Sequence, residues 1–351
     1  MSETSTKSKR KDYLDLLRIL ASYTVVIGHI TTQYMYAVTP GSHEGISFRA
    51  YVVVCDMCIP LFCMISGALF LSRQIPIEKM FKKYILRIVL IFIFWSLLYS
   101  VLFEHSNGLG TLLSSFVRGY SHLWFLYMIV GLYIVTPILA KIAQDETLLK
   151  YFIVIGVIFF LVIPEALQLL SLVSEKSAQY LSSAYSNMGM QTVSGYALFY
   201  MLGYYLDKLD KKKILPIPVL FICFIAALVI PILLNSVYCL HNDQEISILL
   251  SNFSVGNLIR SSCAFLIVKH IYDWDNSGEH PVIFFLGKIS LGAYLIHQMV
   301  IILLNHKAGI NSLTFDPVYG VPLVSLIVFI IAYILSFLVS KIPFLNKTIG
   351  I

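Results

Sequence analysis

Apolar residues run along this chain in blocks of about 20, the length a helix needs to cross the hydrocarbon core of a bilayer, and short polar stretches separate them. Ten blocks are predicted as spanning helices: Tyr13–Ala37, Ile46–Leu71, Phe81–Phe103, Leu123–Ala140, Tyr151–Val173, Met190–Leu206, Ile214–Val237, Leu249–Tyr272, Val282–His306 and Tyr319–Ser340. The first block is too long for the apolar core of a cleaved signal peptide, and no small-residue cleavage site follows it, so it reads as a retained span. The connections leave no room for a separate soluble domain, and no repeat at a fixed period stands out. The expectation is a single all-α membrane domain: a basic tail over residues 1–12, a ten-helix bundle over 13–340 and a short tail over 341–351.

Composition supports the pattern. Of 351 residues, 58% are hydrophobic and only 13% are charged, against about 25% charged in a soluble domain. Disorder is excluded too, because it needs low hydrophobicity and high charge density. The net charge of +6 points to nucleic acid only until the cations are placed. Lys7, Lys9, Arg10 and Lys11 precede the first block, Arg73, Lys79, Lys82 and Lys83 follow the second, and Lys208, Lys211, Lys212 and Lys213 follow the sixth. The alternate loops hold few, with Arg118, Lys176 and Lys307 the clearest. That asymmetry predicts cytoplasmic termini on a multi-pass protein of the cell inner (plasma) membrane, surrounded by lipid. No basic stripe with interleaved aromatics is present, so no nucleic-acid partner is expected. Cys55 and Cys58 form a C-x2-C, but a second ligand pair is missing and the flanks are apolar. They read as buried small side chains, and no metal is expected.

Ionisable residues inside a membrane are costly and mark either function or an internal ion pair. Arg18 and His29 are eleven residues apart, three helical turns and a small remainder, so both project from one face roughly 16 Å apart along the axis. Asp15 and Ser22 share that face at i,i+3 and i,i+4 spacing. Arg18 alone reads as a cation snorkelling to the interface, and His29 alone as readily as a bond between helices. The shared face favours a polar path leading inward from the cytoplasmic edge. His297 is a second embedded histidine, with Tyr294 and Ser290 on its face. His122 and Trp124 open the fourth block at the opposite edge, where tryptophan also serves as an interfacial anchor. Asp56, Glu165 and Arg260 lie within the second, fifth and eighth blocks. Arg260 is expected to pair with Glu165 or Asp56 as a structural or site charge.

Several stretches carry a resemblance. YLDLLRILASYTVVIGH, with its Arg-x10-His, resembles the first helix of the acyltransferase-3 family of integral membrane acyltransferases. PLFCMISGALFL (Pro60–Leu71) resembles that family's second span, and KKYILR (Lys82–Arg87) its basic entry to the third. HLWFLYMIVGLYIVTPIL (His122–Leu139) is similar to its Trp-Phe-Leu segment, and LGKISLGAYLIH (Leu286–His297) to its late Gly-x-x-Ser…Tyr-Leu-x-His segment. Lys82 and Lys83 stand where arginines are common.

The resemblance implies O-acyl transfer, usually acetyl, from cytoplasmic acyl-CoA to a hydroxyl of a cell-envelope glycan or lipid-linked sugar. Acetyl-CoA or another acyl-CoA would be the donor, its phosphates met by Arg18, Lys82, Lys83 and Arg87. His29 would act with Arg18 in catalysis, as a general base or as an acyl acceptor. Asp15 is too far along the helix to orient it, so a partner from another span, such as Asp56, is expected. His122, Trp124, Tyr294 and His297 are the candidate substrate contacts. Two alternatives stay open: a transporter of a small polar solute, and a non-catalytic partner in polysaccharide export. Homo-oligomerisation is also left open.

Overall fold

The structure, a computed structural model, describes residues 11–103, 108–189, 195–272 and 280–351. Lys7, Lys9, Arg10 and the expected start of the sixth span at Met190 lie outside the described residues. The described chain is helical and contains no strand. In order come α1 (Asp12–Thr32), α2 (His43–Cys55), α3 (Cys58–Phe70), α4 (Ile77–Phe103), α5 (Leu109–Arg118), α6 (Trp124–Gln144) and α7 (Glu146–Ser171). They are followed by α8 (Glu175–Asn187), α9 (Tyr196–Lys208), α10 (Ile217–Asn242), α11 (Val255–Ile271), α12 (Pro281–Ala308) and α13 (Pro317–Lys341).

By length and composition, 8 helical stretches among the described residues can cross a membrane, α2 with α3 counting as one. The sixth and eighth expected spans are shorter. α9 has 13 residues, because the chain enters it through Gly195 at φ 50°. α11 has 17: Ser254 caps it by accepting from the Asn257 N–H at 3.0 Å, and Leu249 belongs to a separate tight turn, Ser247–Leu250. Between α4 and α6, the short α5 was not foreseen. Ser96 holds it by donating to the Phe116 carbonyl at 2.6 Å.

α1 is the axis of the bundle. Tyr13, Leu14, Leu17 and Ala21 pack with residues of α3, α9 and α11, whereas Val25, Val26, Ile27 and Ile30 pack with α2, α12 and α13. In its apolar window 61% of the residues are buried, against 17% in α10 and 11% in α7, so the polar stripe of α1 faces protein. Hydrogen bonds tie the two ends of the bundle. At the basic end, Lys11 Nζ reaches both carboxylate oxygens of Asp207 (2.7 and 2.5 Å), which also accepts from the Tyr13 hydroxyl. At the other end, Arg49 Nε donates to Glu245 (2.7 Å) and His43 meets Asp316 (2.9 Å). Asp316 caps α13 through the Val318 N–H; that bond, and then His43, hold its carboxyl below the usual range.

Two glycines seat α9 on α3. A Cβ on Gly67 would lie 1.8 Å from the Tyr200 carbonyl oxygen, and one on Gly203 would lie 2.1 Å from that of Met64. The helices therefore cross at backbone contact, which only small residues permit. Lys269 of α11 then closes the end of α9, donating to the carbonyls of Leu206 (2.8 Å), Asp207 (2.7 Å) and Leu209 (2.8 Å). A cation there also complements the helix dipole.

Arg260, 0% exposed, corrects the expected contact: among the described residues it makes no ion pair within 4.0 Å of Glu165 or Asp56, although both carboxylates act on its charge from farther off. Its Nη1 donates at 2.7 Å to the carbonyl of Ala227. That oxygen lacks its helical partner because residue 231 is Pro231, which has no N–H. Glu165 instead accepts from the Val255 N–H (2.5 Å), placing a carboxylate at the positive start of α11.

The glycine crossing is testable. Gly203→Ala should cost at least about 1–3 kcal/mol by overpacking, read as a lower Tm of the purified protein. An unchanged Tm would show that the two backbones are not in contact.

Candidate functional site

Along α1, positions 15, 18, 22, 25, 29 and 32 recur at helical spacing, and along α12 so do 287, 290, 294 and 297. The two stripes face each other. A Cβ on Gly287 would lie 2.6 Å from that of Asp15, so the glycine lets α12 approach α1 where Asp15 binds Arg18 (Nη1 to Oδ1, 3.0 Å). Gly28 does the same toward α2, where a Cβ would meet Cys55 Sγ at 3.1 Å.

These helices, with α3, α4 and the start of α6, enclose a cavity of about 530 Å³. Arg18, Tyr84, Arg87, Lys288 and Gly350 line it toward the basic end, and His29, Asp56, His122, Trp124, Asn252 and Tyr294 line it farther along. Arg18 and His29 thus open on a common space, as their spacing predicts.

Three histidines gather around the His29 end. The rings of His29 and His297 lie 5.0 Å apart between centroids, those of His122 and His297 5.4 Å, and those of His29 and His122 6.4 Å. His297, fully buried, hydrogen-bonds through Nδ1 to the carbonyl of Tyr294. A carbonyl only accepts, so Nδ1 carries the proton and Nε2 holds the lone pair of the neutral ring. Nε2 is buried without a partner among the described residues. The Tyr294 hydroxyl donates to the carbonyl of His122, which fixes the entry to α6 against α12.

His122 and Trp124, expected together at the opposite edge, are separated by the turn that starts α6. His122 is 1% exposed and points to the histidine cluster, whereas Trp124, 40% exposed, packs on Tyr196 (centroids 6.1 Å) at the cavity wall.

Asp56 sits where α2 gives way to α3. Pro60 has no N–H, so the Asp56 carbonyl loses its helical donor, and Asn257 Nδ2 replaces it at 2.9 Å. The side chain lines the cavity with Oδ2 buried and without a hydrogen-bond partner among the described residues. No hydrogen bond joins Asp56 to His29 among the described residues.

The basic loop divides. Arg87 lines the cavity, but Lys82 and Lys83 do not. Lys82 pairs with Glu78 on the surface at 2.7 Å, and Lys83 lies over the ring of Tyr84 at 5.9 Å. Lys288 takes a place at the basic end that sequence reasoning missed, though it stands next to Gly287 in a stretch already singled out. Tyr84, Tyr133 and Asn252 also line the cavity unforeseen. The cationic mouth and the histidine cluster equip the cavity to hold an anionic group at one end and to move a proton at the other.

The model of one family, described as an acyltransferase domain, matches residues 11–341. The chain belongs to this acyltransferase-3 family, and with its apolar helices it is a multi-pass membrane protein. No curated protein and no solved structure matches it.

Asn257→Leu leaves the Asp56 carbonyl without a donor and should destabilise the protein by about 1–3 kcal/mol, measured by thermal unfolding. Asn257→Leu combined with Pro60→Ala, which restores the helical N–H, should recover part of that loss. No recovery would detach Asn257 from the carbonyl that Pro60 leaves free.

Proposed function

We propose that this protein is a membrane O-acyltransferase that moves an acyl group, most simply acetyl, from a cytoplasmic acyl-CoA to a hydroxyl of a cell-envelope glycan or lipid-linked sugar precursor. Family membership supports acyl transfer, and the observation that carries the reading further is the single cavity shared by Arg18 and His29. The same proposal places the basic end, with both tails, on the cytoplasmic side of the inner membrane.

The chemistry follows from charge and depth. The donor carries several phosphates, and its thioester sits at the end of an uncharged arm. Arg18, Arg87 and Lys288 hold the phosphates at the mouth, and the arm reaches the histidines. A hydroxyl is a weak nucleophile near neutral pH, so His29 takes its proton as the oxygen bonds to the thioester carbon. The carbon–sulfur bond then breaks, and the same proton passes from His29 to the departing thiolate. The products are an ester and free CoA. Trp124 and His122 supply a ring face and a polar edge on the acceptor side. The interruption at Asp56–Met57 follows from Pro60 and by itself favours no transport reading.

His29→Ala should lower O-acetyl ester in the envelope glycan by a factor on the order of 10²–10⁴, read by mass and NMR at matched membrane levels. Full ester content in this variant would remove His29 from the chemistry.

The cations separate in a binding assay. Arg87→Ala and Lys288→Ala should each weaken acetyl-CoA binding to the purified protein by roughly 1–3 kcal/mol, whereas Lys82→Ala should not change it. Absence of any acetyl-CoA binding by the unaltered protein would favour a solute carrier instead.

A further inference from the structure

Tyr99 of α4 takes no part in the proposed transfer, yet its hydroxyl holds an unusual position. It donates to the carbonyl of Leu295 at 2.8 Å and accepts from the N–H of Met299 at 3.0 Å. Those two groups are acceptor and donor of one i to i−4 rung of α12, and His297 lies midway between them. A side chain placed in such a rung sets the local course of the helix. The ring of Tyr99, 0% exposed, also meets that of His122 edge-on (4.9 Å between centroids, 69°) and stacks on Tyr120 (4.9 Å, 23°).

We propose that Tyr99 is a positioning residue for the transfer site. By pinning the turn from Leu295 to Met299 and backing His122, it holds the His297 ring, 5.0 Å from that of His29 between centroids and with no partner on Nε2 among the described residues, beside His29. His297 then acts as the acceptor that orients the His29 ring, in place of the carboxylate found beside histidine bases elsewhere. This rests on the reading of His29 as the base. Tyr99→Phe removes one oxygen, lets the α12 rung close on itself and keeps the ring packing.

The test compares Y99F, H297A, H297Q and the double variant Y99F/H297A with the unaltered protein and H29A. The readouts are envelope O-acetyl ester per molecule of membrane-inserted protein and acetyl-CoA affinity of the purified protein. Y99F should lose transfer by on the order of tenfold to a hundredfold, as small misplacements of reacting groups do. Its acetyl-CoA affinity should stay within about twofold, marking a loss confined to the transfer step. The double variant should be no worse than H297A, because Tyr99 acts through His297. H297Q, whose amide oxygen accepts where Nε2 did, should retain more transfer than H297A. Tyr185→Phe, which removes a tyrosine bond to the Phe159 carbonyl between two residues that do not line the cavity, should leave transfer unchanged and so controls for general loosening.

Transfer above half by Y99F, or losses that multiply in the double variant, would overturn the proposal. If Y99F fails to reach the membrane, H297Q against H297A decides alone, and equal losses overturn it. A normal Y99F beside an inactive H29A refutes only the role of Tyr99, whereas a fully active H29A refutes the function and this proposal together.

Discussion

Within a bilayer, a backbone carbonyl without a donor has no water to turn to, and each proline inside a spanning helix creates one. Three such carbonyls are met here by side chains from neighbouring helices. Pro60 frees the carbonyl of Asp56, taken by Asn257, and Pro231 frees that of Ala227, taken by Arg260. Pro322 frees that of Val318, taken by the hydroxyl of Tyr51. Asn257 and Arg260 lie three residues apart on α11, which also sends Lys269 to the end of α9. A helix of only 17 residues thereby fastens α3, α9 and α10. Each bond joins a side chain on one helix to a backbone oxygen on another, so the helices are fixed in register as well as in contact.

That fastening shapes the cavity. The interruption at Asp56–Met57 lies at the cavity, with Asp56 and Cys58 on its wall. Gly28 and Gly287 let α2 and α12 close on α1 from two sides. With α1 thus enclosed, its stripe from Arg18 to His29 opens onto space between helices rather than onto lipid. The histidines then converge because α12 presents His297 and the turn before α6 presents His122 at the same depth as His29. Polar groups that would be expensive one by one share a single desolvated pocket, where hydrogen bonds are stronger and misplacement is more costly.

Much of this was legible in the chain. Eleven-residue spacing put Arg18 and His29 on one face, and the cavity confirms that face. Block lengths gave the long helices, but not that α9 and α11 would be short, because their ends are set by Gly195 and by the Ser254 cap rather than by hydropathy. Charge is visible in a sequence, so Arg260 reads there as half of an ion pair. A carbonyl orphaned by a proline on another helix is not visible until the helices are packed. Lys82 and Lys83 were misplaced for a related reason. In Lys82–Arg87 all three cations look equivalent, yet Glu78 sits four residues before Lys82 and draws it to the surface. That pair was available from spacing alone. The inward turn of His122 was not, since it depends on Tyr294 holding its carbonyl.

On the proposed function, the cations at the mouth divide the work unequally. Arg18 shares its charge with Asp15 at 3.0 Å, and Asp15 is itself held against Gly287. Its guanidinium is therefore oriented before any donor arrives but is largely neutralised as a long-range attractor. Among the described residues Arg87 and Lys288 make no ion pair, so the uncompensated positive charge of the mouth is theirs. Uncompensated charge draws a polyanion in and holds it, whereas a prealigned, already paired guanidinium selects its geometry. Capture by Arg87 and Lys288 followed by alignment on Arg18 keeps the phosphates at the basic end. Only the uncharged thioester arm then has reason to enter the histidine pocket, where burying a phosphate would cost far more than the pocket returns.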